Sequence, residues 1–123
     1  MRKQLQILLV GVVVISNVAA MGAAPGYTDA KLRYRIYGGG LGDPVEASQR
    51  DVKIAFSIGG PAAAKMFNAM GPDVKDRCTD GSGVRVRAKD RENVLCMRYR
   101  PGQYSCRFGF DLKSGKSVGG TVC

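Results

Sequence analysis

The side chains that offer the most chemistry are basic and alternate with apolar ones. Over positions 84–89, the basic residues Arg85, Arg87 and Lys89 alternate with valine and alanine. Side chains two positions apart share a face of an extended strand, so we expect these three cations on one side of a sheet. A guanidinium group binds a carboxylate or phosphate through two parallel hydrogen bonds. The spacing therefore predicts a surface that recognises anions.

Other arginines enlarge this hypothesis. Arg98 and Arg107 fall on the next two predicted strands and are expected on the same side of the sheet as the first three. Arg33 and Arg35 form a second stripe, and Tyr37 and Tyr99 are expected near the two stripes to stack on a sugar or base. The candidate binding residues are Arg85, Arg87, Lys89, Arg98 and Arg107. The alternative is a charged face that only keeps the protein in solution.

Most catalytic mechanisms are disfavoured by residue type. The chain contains no histidine, which excludes Ser-His-Asp and Cys-His sites and histidine metal ligands. The ten Asp and Glu residues lie mostly in predicted loops or at strand ends. The glycine-rich run at 38–43 lacks the Gly-Lys-Ser/Thr of a phosphate-binding loop, so it is interpreted as a flexible turn. We expect no enzymatic activity, no metal and no cofactor.

Four cysteines indicate an oxidised protein. Cys78, Cys96, Cys106 and Cys123 are separated by 18, 10 and 17 positions, without the close pairs that zinc ligands form. An even number of cysteines in a short exported chain is typical of disulfides. The sequence predicts two bonds, and their pairing is open at this point because four cysteines allow three connectivities.

The amino terminus predicts export. Arg2 and Lys3 precede an apolar run at 5–15 and small residues up to Ala20, the plan of a cleaved signal peptide over 1–20. Positions 21–30 are expected to form a flexible tail and 31–123 a single small domain, periplasmic or secreted. No transmembrane segment is expected after cleavage.

The charge balance favours anionic partners. Nineteen Lys and Arg residues against ten Asp and Glu give a net charge of +9, or +7 without Arg2 and Lys3. Such a surface attracts an anionic polymer, a lipid headgroup or an acidic protein. Nucleic acid is the less natural partner of an exported protein.

Hydrophobic periodicity predicts six strands and one helix. Period-two patterns occur at 31–37, 51–58, 84–89, 94–99, 104–112 and 117–123, the last four forming an antiparallel meander. Positions 61–70 have helical periodicity, with Pro61 at the start. Gly71 in the left-handed conformation and Pro72 are expected to end that helix. The fold class is therefore α+β, one short helix on an antiparallel sheet of five or six strands.

The register between two of these strands has two solutions. A loop of four residues sets Tyr99 opposite Tyr104 and places Cys96 and Cys106 on different faces. A loop of three residues, or a bulge, sets Cys96 directly against Cys106. The sequence leaves both open.

Half of the chain resembles small exported bacterial proteins that have an Ala-rich helix followed by two cysteine-bearing strands. The matching segments are Ala62-Ala63-Ala64-Lys65-Met66-Phe67, Leu95-Cys96-Met97 and Tyr104-Ser105-Cys106. The resemblance implies no activity. It implies the pairing of Cys96 with Cys106 and of Cys78 with Cys123.

These observations predict an exported, non-enzymatic interaction protein with a basic sheet face for an anionic envelope partner. A second hypothesis is an inhibitor of an exported hydrolase that presents the loop Arg100-Pro101-Gly102-Gln103. A third is a small carboxylate-dependent hydrolase, which requires two acidic side chains that converge in a cleft.

Overall fold

A computed structural model describes residues 13 and 25–123 of the chain. The described part contains seven strands and one helix. They are β1 (Leu32–Gly40), β2 (Asp43–Val45), β3 (Lys53–Gly59), α1 (Gly60–Ala69), β4 (Arg85–Lys89), β5 (Val94–Tyr99), β6 (Gln103–Asp111) and β7 (Ser117–Val118). The signal-peptide prediction lies outside the described residues, apart from Val13.

All the strands belong to one antiparallel sheet. Its order is β2-β1-β3-β6-β5-β4, and β7 pairs with the end of β6 beyond β5. The α+β prediction is confirmed, and the strand it did not include is the short β2. The last strand is shorter than predicted, because regular pairing ends at Val118 and residues 119–123 leave the sheet.

The helix packs against β3, β6 and β5 on one side of the sheet, which we call the helix face. Ala63 and Phe67 are buried against the Cys96 and Cys106 side chains, with Tyr104 packed edge-on to the Phe67 ring. A ten-residue helix is marginal alone, so this contact is what stabilises it. The prediction of a left-handed stop at Gly71 is wrong: Met70 caps the helix in the right-handed region, and the φ of Gly71 is not positive.

Two disulfides fix the carboxyl-terminal half. Cys96 and Cys106 lie directly opposite each other on β5 and β6, so the three-residue loop is the observed solution. Cys78 bonds Cys123, across a sequence separation of 45 residues. These are the pairs that the resemblance implied, and they fit an oxidising compartment.

The interpretation of the glycine-rich run as a flexible turn is wrong, because its first three glycines are paired in the sheet. Gly38, Gly39 and Gly40 end β1 and pair with β2. A side chain on Gly38 would meet backbone oxygens at 3.0 and 3.1 Å, and Gly39 has a φ of +68° that favours glycine. The Asp51 carboxylate accepts a hydrogen bond from the Gly39 amide at 2.7 Å, which holds the bend in place.

Residues 119–123 cross the other side of the sheet, which we call the groove face. A side chain on Gly120 would lie 2.6 Å from the Phe108 nitrogen, so this segment touches the backbone of β6. Val122 then reaches the β1–β2 turn, 3.5 Å from where a side chain on Gly42 would begin. The Cys78–Cys123 bond anchors the end of the segment and so positions one wall of the site described next.

Candidate functional site

The first predicted basic row lies on the helix face and is engaged with the protein itself. Arg85 and Arg87 both donate hydrogen bonds to the Asp73 carboxylate, through Nε at 2.8 and 2.9 Å. The Arg87 guanidinium also lies 4.2 Å from the centre of the Phe67 ring and donates to the Phe67 carbonyl at 2.7 Å. Its side chain is only 16% exposed. Arg87 therefore fastens the end of α1 to the edge of the sheet.

The remaining members of that row also have local contacts. Lys89 donates to the Gly71 carbonyl at 3.4 Å, and the Arg98 guanidinium lies 5.8 Å from the centre of the Tyr104 ring. The two arginines beside Asp73 lower the pKa of its carboxyl to about 2, chiefly through their hydrogen bonds. The same pairing raises the pKa of Arg85 above its usual value.

The prediction that Arg107 lies beside this row is wrong. Arg107 pairs with Leu95 on β5, whereas Arg98 pairs with Tyr104. Side chains alternate along a strand, so the odd-numbered positions of β6 lie on the opposite face from Cys106. The three-residue loop sets this register, and it moves Arg107 to the groove face.

On the groove face Arg107 joins the second predicted stripe. Arg33 on β1 and Arg107 on β6 are the two cross-strand neighbours of Ser57 on β3. Adjacent strands lie about 4.8 Å apart, so the Ser57 hydroxyl stands between two arginine stems about 10 Å apart. Arg35 follows one pleat along β1, next to the small Ala55.

These residues form the floor of an open groove of about 400 Å³, which we call the arginine groove. Its far walls come from the segment that crosses the sheet, through Gly120 and Val122, and from Leu41 in the β1–β2 turn. The floor is cationic and the walls are small or apolar. An anionic group of phosphate or carboxylate size would meet guanidinium donors from two sides and a hydroxyl from below.

The arginines of the groove differ from Arg85 and Arg87 in their partners. Within residues 25–123, no carboxylate lies within 4.0 Å of the guanidinium groups of Arg33, Arg35 or Arg107, and none of the three makes a side-chain hydrogen bond. Close like charges repel one another, and a bound anion relieves that repulsion. Within the described residues, the groove thus brings together three arginines that have no counter-charge.

A paired lysine and a buried tyrosine lie beyond the groove along β1. Lys53 forms an ion pair with Asp51 and donates to the Gly39 carbonyl at 3.0 Å. The hydrogen bond with Lys53 lowers the pKa of Asp51 and raises that of Lys53. Tyr37 is 3% exposed, and desolvation raises the pKa of its hydroxyl. The expectation that Tyr37 stacks on a ligand is therefore wrong.

Ser57 is a polar groove residue that the sequence did not single out. It lies on the same side of β3 as Ala55 and Gly59, where the alternation predicts only a residue that faces away from the apolar side. Its position matters only because β1 and β6 both pair with β3, an order that no local pattern predicts.

Within the described residues, no group of His, Cys, Asp or Glu side chains is arranged to hold a metal ion. No helix of this part is long and apolar enough to cross a bilayer.

Comparisons with protein-family models, with curated proteins and with solved structures found no match for the chain. The resemblance to small exported bacterial proteins therefore stays a prediction.

Proposed function

We propose that this is an exported, non-enzymatic binding protein that recognises an anionic partner of the cell envelope through the arginine groove. The observation that carries the proposal is that Arg33, Arg35 and Arg107 line one groove with Ser57, and that no carboxylate of the described residues neutralises them. Guanidinium groups bind carboxylate and phosphate through forked hydrogen bonds, and several of them beside one groove can contact the same anion.

The helix-face row supports this choice by contrast. Arg85 and Arg87 share the Asp73 carboxylate, so a ligand anion would have to displace an internal one. Arg87 is also stacked on Phe67 and is unavailable without disturbing α1. We therefore assign Arg85 and Arg87 to the stability of the fold, and Arg33, Arg35 and Arg107 to binding.

The experiment measures binding of the oxidised mature protein to heparin, used as a model polyanion, across a salt series. The groove variant is Arg33→Ala/Arg35→Ala/Arg107→Ala. A matched control removes the same three charges from exposed side chains elsewhere on the surface, as Lys65→Ala/Arg91→Ala/Lys113→Ala. We expect at least about tenfold weaker binding at low salt for the groove variant and a much smaller change for the control. Equal losses would show that only net charge matters.

A second candidate function is inhibition of an exported hydrolase through the β5–β6 loop. Arg100, Pro101 and Gly102 are exposed at its tip, and the Cys96–Cys106 bond joins the two strands just behind it. A rigid loop loses little entropy on binding, as inhibitors of hydrolases require. Stoichiometric inhibition that survives high salt and is lost on Pro101→Gly would favour this function over the groove.

A further inference from the structure

We propose that the outer edge of β1 receives an extended acidic segment of a partner protein as an added strand of the sheet. The inference rests on the proposed anion-binding role of the groove, since Arg33 and Arg35 belong to both surfaces. It adds the class of partner, a polypeptide, and the way in which it is bound, through the main chain of β1.

Along the amino-terminal half of β1, no strand of the described residues pairs with the outer edge. Its outer neighbour β2 pairs only with Gly38, Gly39 and Gly40. Over positions 32–36 the described part of the chain supplies a partner strand on one side only, namely β3. An open edge of this length presents unpaired amide and carbonyl groups, which natural proteins usually protect or use.

The hydrogen-bond phase of β1 shows which groups face outward. The Gly59 amide donates to the Lys31 carbonyl at 3.1 Å, so residue 31 and the odd positions after it are bonded towards β3. In an antiparallel ladder these positions alternate with residues bonded to the other side. The main-chain groups of Leu32, Tyr34 and Ile36 therefore point to the open edge.

The β1–β2 pairing agrees with that phase. Gly38 and Gly40, at even positions, lie opposite Val45 and Asp43. Pro44, which has no amide hydrogen to donate, lies opposite Gly39, whose own amide is bonded to the Asp51 carboxylate instead. The even positions are thus the outward-bonding ones along the whole of β1.

The side chains along the edge specify a partner of alternating character. Arg33 and Arg35 lie on the groove face. Leu32, Tyr34 and Ile36 lie on the helix face beyond the reach of α1, and they are 45%, 68% and 44% exposed. A strand added here places every second side chain beside the arginines and the others beside the apolar row. Acidic residues alternating with apolar ones satisfy both.

Charge selects an acidic partner over a second copy of this chain. Antiparallel pairing of two β1 edges about Tyr34 would set Arg33 of one copy opposite Arg35 of the other, twice. Like charges directly opposite each other destabilise a strand pair. The same arginines that reject self-association favour Glu or Asp at those positions, which is how charged edges discriminate between partners.

The test compares two fluorescent heptapeptides of identical composition and charge, Glu-Val-Glu-Val-Glu-Val-Glu and Glu-Glu-Glu-Glu-Val-Val-Val, by anisotropy with the oxidised mature protein. We expect the alternating peptide to bind at least about tenfold more tightly than the blocked one. Two further versions of it are N-methylated, at all the valines or at all the glutamates. One of the two should lose binding and the other keep it, because only one set of amides faces β1.

Variants of the protein examine the same edge. Tyr34→Pro removes an amide hydrogen that points away from β3, a position where a sheet edge tolerates proline. It should abolish the preference for the alternating peptide, whereas Tyr34→Ala, which keeps the amide, should retain most of it. Arg33→Glu/Arg35→Glu should transfer the preference to Lys-Val-Lys-Val-Lys-Val-Lys.

The outcomes separate this inference from the proposed function. Equal binding of the two peptides, lost in the groove variant Arg33→Ala/Arg35→Ala/Arg107→Ala, overturns strand addition and leaves the groove as an anion site. If neither peptide binds, and if heparin binding is unchanged in the groove variant, both strand addition and the anion-binding role of the groove are overturned. A dimer in sedimentation that Tyr34→Pro disperses would assign the edge to a second copy and contradict the inference.

Discussion

Arg87 gives the sharpest contrast between a structural and a binding arginine. The substitution Arg87→Ala removes a charged hydrogen bond to the Phe67 carbonyl at 2.7 Å and a guanidinium 4.2 Å from the Phe67 ring centre. It leaves the arginine groove untouched, because Arg87 lies on the helix face. We expect a clear loss of stability and unchanged binding of anions.

The size of the effect follows mainly from those two contacts, and the loss of the Arg87–Asp73 hydrogen bond adds to it. A hydrogen bond to a charged group contributes about 1.5–3 kcal/mol. A cation over an aromatic face adds about 0.5–1 kcal/mol at a surface site. Because alanine has no long side chain to order on folding, the avoided entropy cost offsets up to about 2 kcal/mol of this loss. The net loss is about 2 kcal/mol, which lowers the melting temperature of a domain of this size by about 8–16 °C.

The assay is thermal unfolding of the oxidised protein followed by circular dichroism, with Arg35→Ala as the control. Arg35 has no side-chain partner within the described residues, so its removal should change stability by less than about 0.5 kcal/mol. Arg87→Lys should recover only part of the loss, since lysine keeps the charge and not the planar fork. Equal melting temperatures for Arg87→Ala and Arg35→Ala would refute the structural assignment of Arg87.

Three other perturbations test the contacts that hold the carboxyl-terminal segment and the helix on the sheet. Cys78→Ser/Cys123→Ser should destabilise the protein by about 4 kcal/mol, the chain-entropy value for its 45-residue separation, in urea unfolding. Gly120→Ala forces a methyl group to within 2.6 Å of the Phe108 nitrogen, and it should cost about 1–3 kcal/mol and weaken heparin binding; unaltered binding would place the site elsewhere. Pairing with Arg85 and Arg87 lowers the pKa of Asp73 from 3.8 to about 2. The stabilisation of the fold by this carboxylate is therefore complete at pH values above 3.8 and is lost as the pH falls towards 2. Asp73→Asn should remove that part of the acid sensitivity, and an unchanged pH profile of stability would argue against the ion pairs.

The strands and the helix were predictable because their signals are local. Alternation over 94–99 gave β5 with its observed bounds, and the Ala-rich run after Pro61 gave α1. The glycine-rich run was misread since its pairing depends on Asp51, twelve residues beyond Gly39 in the chain. Local patterns carry no information on such a contact.

The candidate site was only half predictable, for a reason of register. The alternation of Arg85 and Arg87 predicted correctly that they share a face, but nothing local showed that Asp73 and Phe67 would meet them. The face of Arg107 depended on whether the preceding loop had three residues or four. The groove therefore required the strand order and the register, which depend on contacts between distant parts of the chain.

The most direct test of the arginine groove is nuclear magnetic resonance of the isotope-labelled oxidised protein, titrated with a heparin-derived oligosaccharide. Backbone amide and arginine Nε resonances report which side chains meet the anion. The groove predicts the largest shifts at Arg33, Ser57 and Arg107, with small changes at Arg85 and Arg87. Shifts concentrated on Arg85 and Arg87, or spread evenly over the basic surface, would contradict it.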